Sequence, residues 1–98
     1  MNILKEVDGS KCTISLEGRV DTTTAPKLEA ELKHSVAGIK ELIIDLDKLE
    51  YISSAGLRVF LSAQKVMKKQ GTMTIKNVNE TIMEIFEVTG FVDILNIV

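Results

Sequence analysis

Apolar and polar positions along this chain first alternate in pairs and then recur every three to four residues, and this change of period predicts its elements. Ile3 to Val7 and Lys11 to Leu16 read as two strands joined at Asp8-Gly9-Ser10, where Gly can take the positive φ of a tight hairpin. In the second strand Cys12, Ile14 and Leu16 alternate with Thr13, Ser15 and Glu17, so one face is buried and the other wet. Gly18 breaks that alternation. Thr22-Thr23-Thr24 offers capping oxygens and Pro26 suits a first turn, which places a helix start near Thr24 or Ala25. Leu28, Leu32 and Val36 form its apolar side, and Gly38 ends it.

Glu41 to Leu46 is nearly continuous in apolar residues and β-branched at Ile43 and Ile44, as expected of a central strand covered on both faces. Asp47 to Ile52 then reads as a connection. From Leu57 to about Gly71 the period is helical: at about 100° per residue, Val59, Phe60, Ala63, Val66 and Met67 share one arc and Arg58, Ser62, Lys65 and Lys69 the opposite one. Leu57 and Leu61 fall at the edge of the apolar arc, a position open to a partner. Thr72 to Ile75 is a short strand; Asn79 caps a helix from Glu80 to Val88; Val92 to Val98 reads as a last edge strand. The order ββαβαβαβ predicts an α/β fold in which a mixed sheet is connected by right-handed crossover helices, all within one domain spanning 1–98.

Composition narrows the functional classes. The 98 residues suffice for one core but not for a second domain or a large cleft, and 45% hydrophobic with 27% charged residues is ordinary for a folded soluble protein. Twelve basic and 14 acidic residues give a net charge of −2, which supplies no basic field for nucleic acid or an anionic membrane. No stretch approaches the roughly 20 apolar residues of a membrane helix, and the N-terminus has no basic run followed by an apolar segment, so a cytoplasmic location without membrane insertion is expected. Cys12 is alone and sits in a strand pattern, as a small buried hydrophobe would. His34 is the one histidine, on a charged helix, and gives no support to a transition-metal site.

The chemistry-bearing stretch is Tyr51-Ile52-Ser53-Ser54-Ala55-Gly56-Leu57-Arg58, where two hydroxyls stand between extended and helical patterns. A serine there can cap the helix, accepting a backbone N–H of the first turn. The same N–H groups and the helix dipole would also favour a phosphate on the serine. An enzyme reading finds little to work with. His34 is remote from these serines in sequence, Cys12 has no base, and neither G-x-x-x-x-G-K-[ST] nor G-x-G-x-x-G occurs. Asp45 and Asp47 are the one tight acidic pair near the serines and, with Asp21, could tune a phosphate's surroundings. A receiver domain phosphorylated on Asp45 or Asp47 would need further acids and a lysine after a later strand, for which Lys76 is the one loose candidate. The chain is therefore read as a non-enzymatic module that needs no cofactor.

Tyr51 to Leu57 resembles the D-S-[STA]-G-L signature of STAS domains, specifically the bacterial anti-sigma factor antagonists. Gly18-Arg19-Val20-Asp21 is similar to that family's G-x-[LIV]-D, Ala25 to Leu32 to its first helix, Leu42 to Leu46 to its central strand, and Val88-Thr89-Gly90-Phe91 to the segment closing its third helix. The resemblance implies a single STAS-like domain acting as a partner switch on a sigma factor, as a monomer or weak dimer. In such proteins an anti-sigma factor serine kinase phosphorylates the signature serine, a PP2C-type phosphatase removes the phosphate, and the unphosphorylated form sequesters the kinase. By position the acceptor is Ser54, with Ser53 as a rival hydroxyl where the signature has Asp. The implied partner surface comprises Asp21, Ser53, Ser54, Ala55, Gly56, Leu57, Arg58 and Leu61. Gly56 would let a partner approach the hydroxyl closely, or else let the helix pack tightly on the sheet. Family members often continue into a final helix beyond the position of Val98. The alternative is a constitutive STAS interaction subunit, such as the partner of an ABC-type lipid transporter ATPase, in which the serine only caps its helix.

Overall fold

The computed structural model describes residues 1–98. Four strands, β1 (Asn2–Asp8), β2 (Lys11–Val20), β3 (Glu41–Ile52) and β4 (Thr72–Lys76), lie side by side in that order. β1 runs antiparallel to β2 through the predicted hairpin, with Gly9 at φ +62°, and β2, β3 and β4 are mutually parallel. The parallel pairs are bridged by α1 (Ala25–Ser35) and α2 (Ser54–Gln70), and α3 (Glu80–Thr89) follows β4. The α/β class, the mixed sheet and the crossover helices are those that the hydrophobic pattern predicts.

The register shows which face is the core. Ile14, Ile44 and Ile75 stand in one row across β2, β3 and β4, and Cys12, Leu42 and Met73 in the next; all six are buried. Phe60 and Met67 of α2, Leu28 and Leu32 of α1, and Phe86 of α3 join the same cluster. Thr13, Ser15, Ile43, Asp45 and Thr74 point the other way, and none of them is buried. The expectation that β3 is covered on both faces is thus corrected. Ile43 lies between Thr13 and Thr74 on an open sheet face, so the apolar run reflects one outward isoleucine in an otherwise alternating strand. Burial in the core pushes the Cys12 thiol above its usual range, which makes it a poor nucleophile.

Two strands are longer than their patterns predict, and this matters for the site. β2 continues through Gly18 to Val20, and the supposed connection 47–52 is the second half of β3. The pairing shifts register between Ser15 and Glu17 and again at Gly18, whose φ of +96° is open to glycine at little cost. Beyond these irregularities Val20 and Ile52 turn into the core, while their neighbours Arg19 and Tyr51 stack outside, the guanidinium 4.7 Å from the ring centroid.

The C-terminal segment differs most from expectation. Phe91–Asp93 forms a 3-10 turn, and the predicted last strand is reduced to a single parallel bridge, Ile97 beside Ile75. The amide N–H groups of both Ile94 and Leu95 donate to Phe91 O, which keeps the chain coiled until Leu95 is buried. Only then does Ile75 N–H reach Asn96 O, at 2.8 Å, and Val98 N–H reach Ile75 O, at 3.0 Å. No helix is long and apolar enough to cross a membrane.

Candidate functional site at the start of the second crossover helix

Three local devices build the site where β2 and β3 end. Ser53 is extended, at φ −88° and ψ 174°, and caps α2 by accepting the Gly56 N–H at Oγ, 3.4 Å away. Its own N–H donates to Val20 O, at 2.8 Å, which ties the serine to the end of β2 and brings the following Asp21 alongside. Ser54 is the first residue of the helix and is exposed to solvent. The two hydroxyls therefore differ: that of Ser53 is engaged in capping, and that of Ser54 is presented to solvent.

Asp21 is fixed by the turn that starts α1. Its Oδ1 accepts the Thr23 N–H at 2.9 Å, the Thr23 hydroxyl at 2.7 Å and the Thr24 N–H at 3.1 Å. The side-chain capping expected of the threonines is not made, although Thr24 is the N-cap residue; its Oγ1 instead accepts the Asp21 N–H and donates to Arg19 O, locking the loop back onto β2. The hydrogen bond from the Thr23 hydroxyl, followed by that from the Thr24 amide, holds the Asp21 carboxyl below the usual carboxylate range. Because its folded value is depressed, what it contributes to stability is present above the ordinary pKa of 3.8 and is lost as pH falls through the lower value. An NMR titration of the Asp21 carboxyl carbon is expected to show a midpoint below 3.8 in the native protein. Thr23→Val should move that midpoint back upward, and an unchanged midpoint in the variant would deny the hydroxyl this role.

The structure sorts the other residues expected at the partner surface. Arg58 is exposed, Ala55 and Leu61 are half-buried, and all three remain accessible. Leu57 is a correction: it is only 3% exposed and belongs to the core, because its position on α2 leans over the sheet. Gly56 is buried as well. A Cβ there would lie 2.6 Å from Val20 Cγ1 and 2.7 Å from Ile52 Cγ1, so its lack of a side chain serves helix-to-sheet packing and not partner approach.

Asp45 and Asp47 are not beside the serines. β3 runs on from Asp47 to Ile52, which sets Asp47 roughly 20 Å and Asp45 roughly 26 Å from Ser53 at about 3.3 Å per residue. Asp45 Oδ1 accepts the Asp47 N–H and the Asn77 side-chain amide, each at 3.0 Å, and so braces the turn after β4, where Asn77 takes φ +59°. Lys76 pairs in register with Asp45, but no cluster of three or more acids or other metal-binding side chains surrounds them, so the receiver-like arrangement is incomplete. Sequence reasoning missed the Arg19–Tyr51 stack, since neither residue has a periodic signal and their meeting depends on the β2–β3 register.

A mixed sheet with crossover helices on one face and a serine pair, one capping and one exposed, at the start of the second crossover defines the class. The STAS domain model matches residues 2–98, and the chain belongs to the STAS domain family. It is 41% identical over 81 residues to the putative anti-sigma factor antagonist BtrV of Bordetella bronchiseptica, covering 81% of this chain and 70% of that one. It is 36% identical over 104 residues to the anti-sigma-B factor antagonist of Listeria monocytogenes, covering 99% and 90%. Among solved structures, an anti-sigma factor antagonist from Mycobacterium paratuberculosis superposes with a TM-score of 0.89 at 24% identity, over 98% of this chain and 83% of that one, and so shares the fold.

Proposed function

We propose that this protein is an anti-sigma factor antagonist that works as a phospho-switched binding module. Unphosphorylated, it binds an anti-sigma factor serine kinase through Ser54, Ala55 and Arg58 on α2, with Asp21, Ser53 and Leu61 at the margins, and so frees the sigma factor. Phosphorylation of Ser54 by that kinase releases the complex, and a PP2C-type phosphatase resets it. The observation that carries the reading is the division of labour between the serines: Ser53 caps the helix, leaving Ser54 exposed on its first turn. This division also explains how the signature tolerates Ser53 in place of an aspartate, since both residues are good N-caps.

Phosphorylation would add about −1.5 to −2 charges at the positive end of α2, where the dipole and free N–H groups favour an anion. Nothing in the core has to move. Incubation with the cognate kinase and Mg-ATP is expected to add a single phosphate by intact mass, absent in Ser54→Ala and retained in Ser53→Asp, which keeps a capping oxygen. Label that persists in Ser54→Ala and disappears in Ser53→Asp would move the acceptor to Ser53.

A further inference from the structure

Of the 12 basic residues in this chain only Arg19 and Arg58 are arginines, and both belong to the serine end of the molecule. Arg19 pairs in register with Tyr51, two residues before Ser53, and Arg58 follows Ser54 by four residues on α2. The choice of arginine matters wherever a phosphate is to be held. A guanidinium presents a planar fork of N–H donors that matches two phosphate oxygens at once, whereas a lysine ammonium acts as a point charge.

The two arginines differ in what already engages them. Arg19 is stacked on Tyr51, its guanidinium 4.7 Å from the ring centroid. Arg58 is exposed and takes part in neither of the salt bridges, Lys33 with Glu29 and Lys48 with Glu17, and α2 has no acidic residue to hold it. Helix geometry then directs the free side chain. Residues four apart are neighbours on a helix surface, and each Cα–Cβ bond tilts toward the helix N-terminus, so a long side chain covers the turn before its own. For Arg58 that turn begins at the exposed Ser54. The next cation along α2, Lys65, lies roughly 16 Å from Ser54 at about 1.5 Å per residue.

We propose that Arg58 is the phosphate clamp of the switch: once Ser54 carries a phosphate, the Arg58 side chain folds back over the first turn of α2 and binds the phosphoryl oxygens through its guanidinium. This rests on Ser54 as the acceptor, and it deepens that reading by assigning the residue that receives the phosphate. Asp21, on the end of β2 that Ser53 N–H is tied to, is a carboxylate; it repels a phosphate from that side and leaves Arg58 as the favourable direction. The clamp also lets one modification change the partner surface twice. A negative charge appears at Ser54, and the Arg58 charge, free in the unmodified protein, is neutralised within the protein itself.

The full chain with phosphoserine genetically encoded at position 54 tests the clamp without the kinase. A phosphorus NMR titration follows the second ionisation of the phosphate, which ordinarily falls at about pH 6. The wild-type background is expected to titrate at least about half a pH unit below Arg58→Gln, a roughly threefold difference in proton affinity, with Arg58→Lys between the two. The start of α2 and Asp21 act on all three alike, so the difference isolates the guanidinium. Lys65→Gln should titrate with the wild-type background. Equal midpoints for wild type and Arg58→Gln would overturn the inference, and so would a rise in Lys65→Gln as large as that in Arg58→Gln, which would mean a diffuse field in place of a clamp. A second readout needs no variant: the Arg58 Nε–H resonance is expected to move downfield when Ser54 carries phosphate, and an unmoved resonance would also overturn the proposal. Kinase labelling that fell on Ser53 would defeat the switch reading separately, with the midpoint difference still standing.

Discussion

Gly71→Ala is expected to lower the melting temperature by more than about 12 °C, the largest effect of any single methyl group added to this chain. Gly71 closes α2, its N–H donating to Met67 O at 2.6 Å, and leads at once into β4, where Thr72 N–H donates to Lys40 O at 2.9 Å. A Cβ on residue 71 would overlap the Lys40 carbonyl oxygen and stand 2.6 Å from its carbonyl carbon. The obstacle is backbone, fixed at the entry to β3, so no rotamer change relieves it. Nearby, the side-chain amide of Gln70 donates to both Val36 O and Ile39 O at 2.7 Å, binding the end of α2 to the loop that carries Lys40. Relief requires the α2–β4 junction to move against these bonds. Overpacking costs about 1–3 kcal/mol where side chains can yield, and more than about 3 kcal/mol is expected here. For a domain of this size each kcal/mol is worth about 4–8 °C. Circular dichroism melts check the expectation, and a midpoint within a few degrees of wild type would show that the junction shifts freely.

The second large effect is on binding. Protein carrying phosphate on Ser54 is expected to bind the kinase about a hundredfold more weakly than the unmodified form, a difference of about 2.7 kcal/mol. A divalent anion at a docking surface must be desolvated or repelled when the partner arrives, and either cost is of this order. The same phosphate sits favourably on the free protein, where the N-terminus of α2 supplies about 0.3–1 kcal/mol, so the melting temperature should stay level or rise slightly. The pairing of weaker binding with undiminished stability separates a switch from a lesion. Isothermal titration of phosphorylated and unphosphorylated protein, alongside melts of each, makes the comparison. Equal affinities would favour a constitutive STAS interaction subunit, of the kind that accompanies an ABC-type lipid transporter ATPase.

The sequence is most legible where one physical signal dominates. Cys12, Ile14 and Leu16 alternate cleanly because β2 has one dry face, and Leu28, Leu32, Phe60, Met67, Ile82 and Phe86 recur at helical spacing because each helix presents one side to the sheet. Asn79 is readable as a cap, and its side chain does accept the Ile82 N–H, at 2.9 Å. Ile43 was misleading: a β-branched apolar residue between two core residues has the same local signature whether its own face is covered or open. The last strand failed for a related reason. Val92 to Val98 is apolar enough to pair, but the 3-10 turn and the burial of Leu95 use its first half, leaving only Ile97 to meet β4.

For the serine site, what the sequence by itself determined is chemical: two adjacent hydroxyls at the start of a helix, a glycine two residues on, and an aspartate with its two threonines at the end of an earlier strand. What only the tertiary structure decided is how these are shared out. The bulged pairing of β2 with β3 carries both strands past their expected ends, so that Ser53 N–H meets Val20 O and Asp21 lies beside the serines while Asp45 and Asp47 are left far behind. Close packing of α2 on Val20 and Ile52 claims Gly56 and Leu57 for the core and leaves Ser54 and Arg58 outside. Residue type and spacing are local properties that a chain carries with it; exposure and proximity depend on which strands pair and in what register, and those are fixed only when the whole core closes.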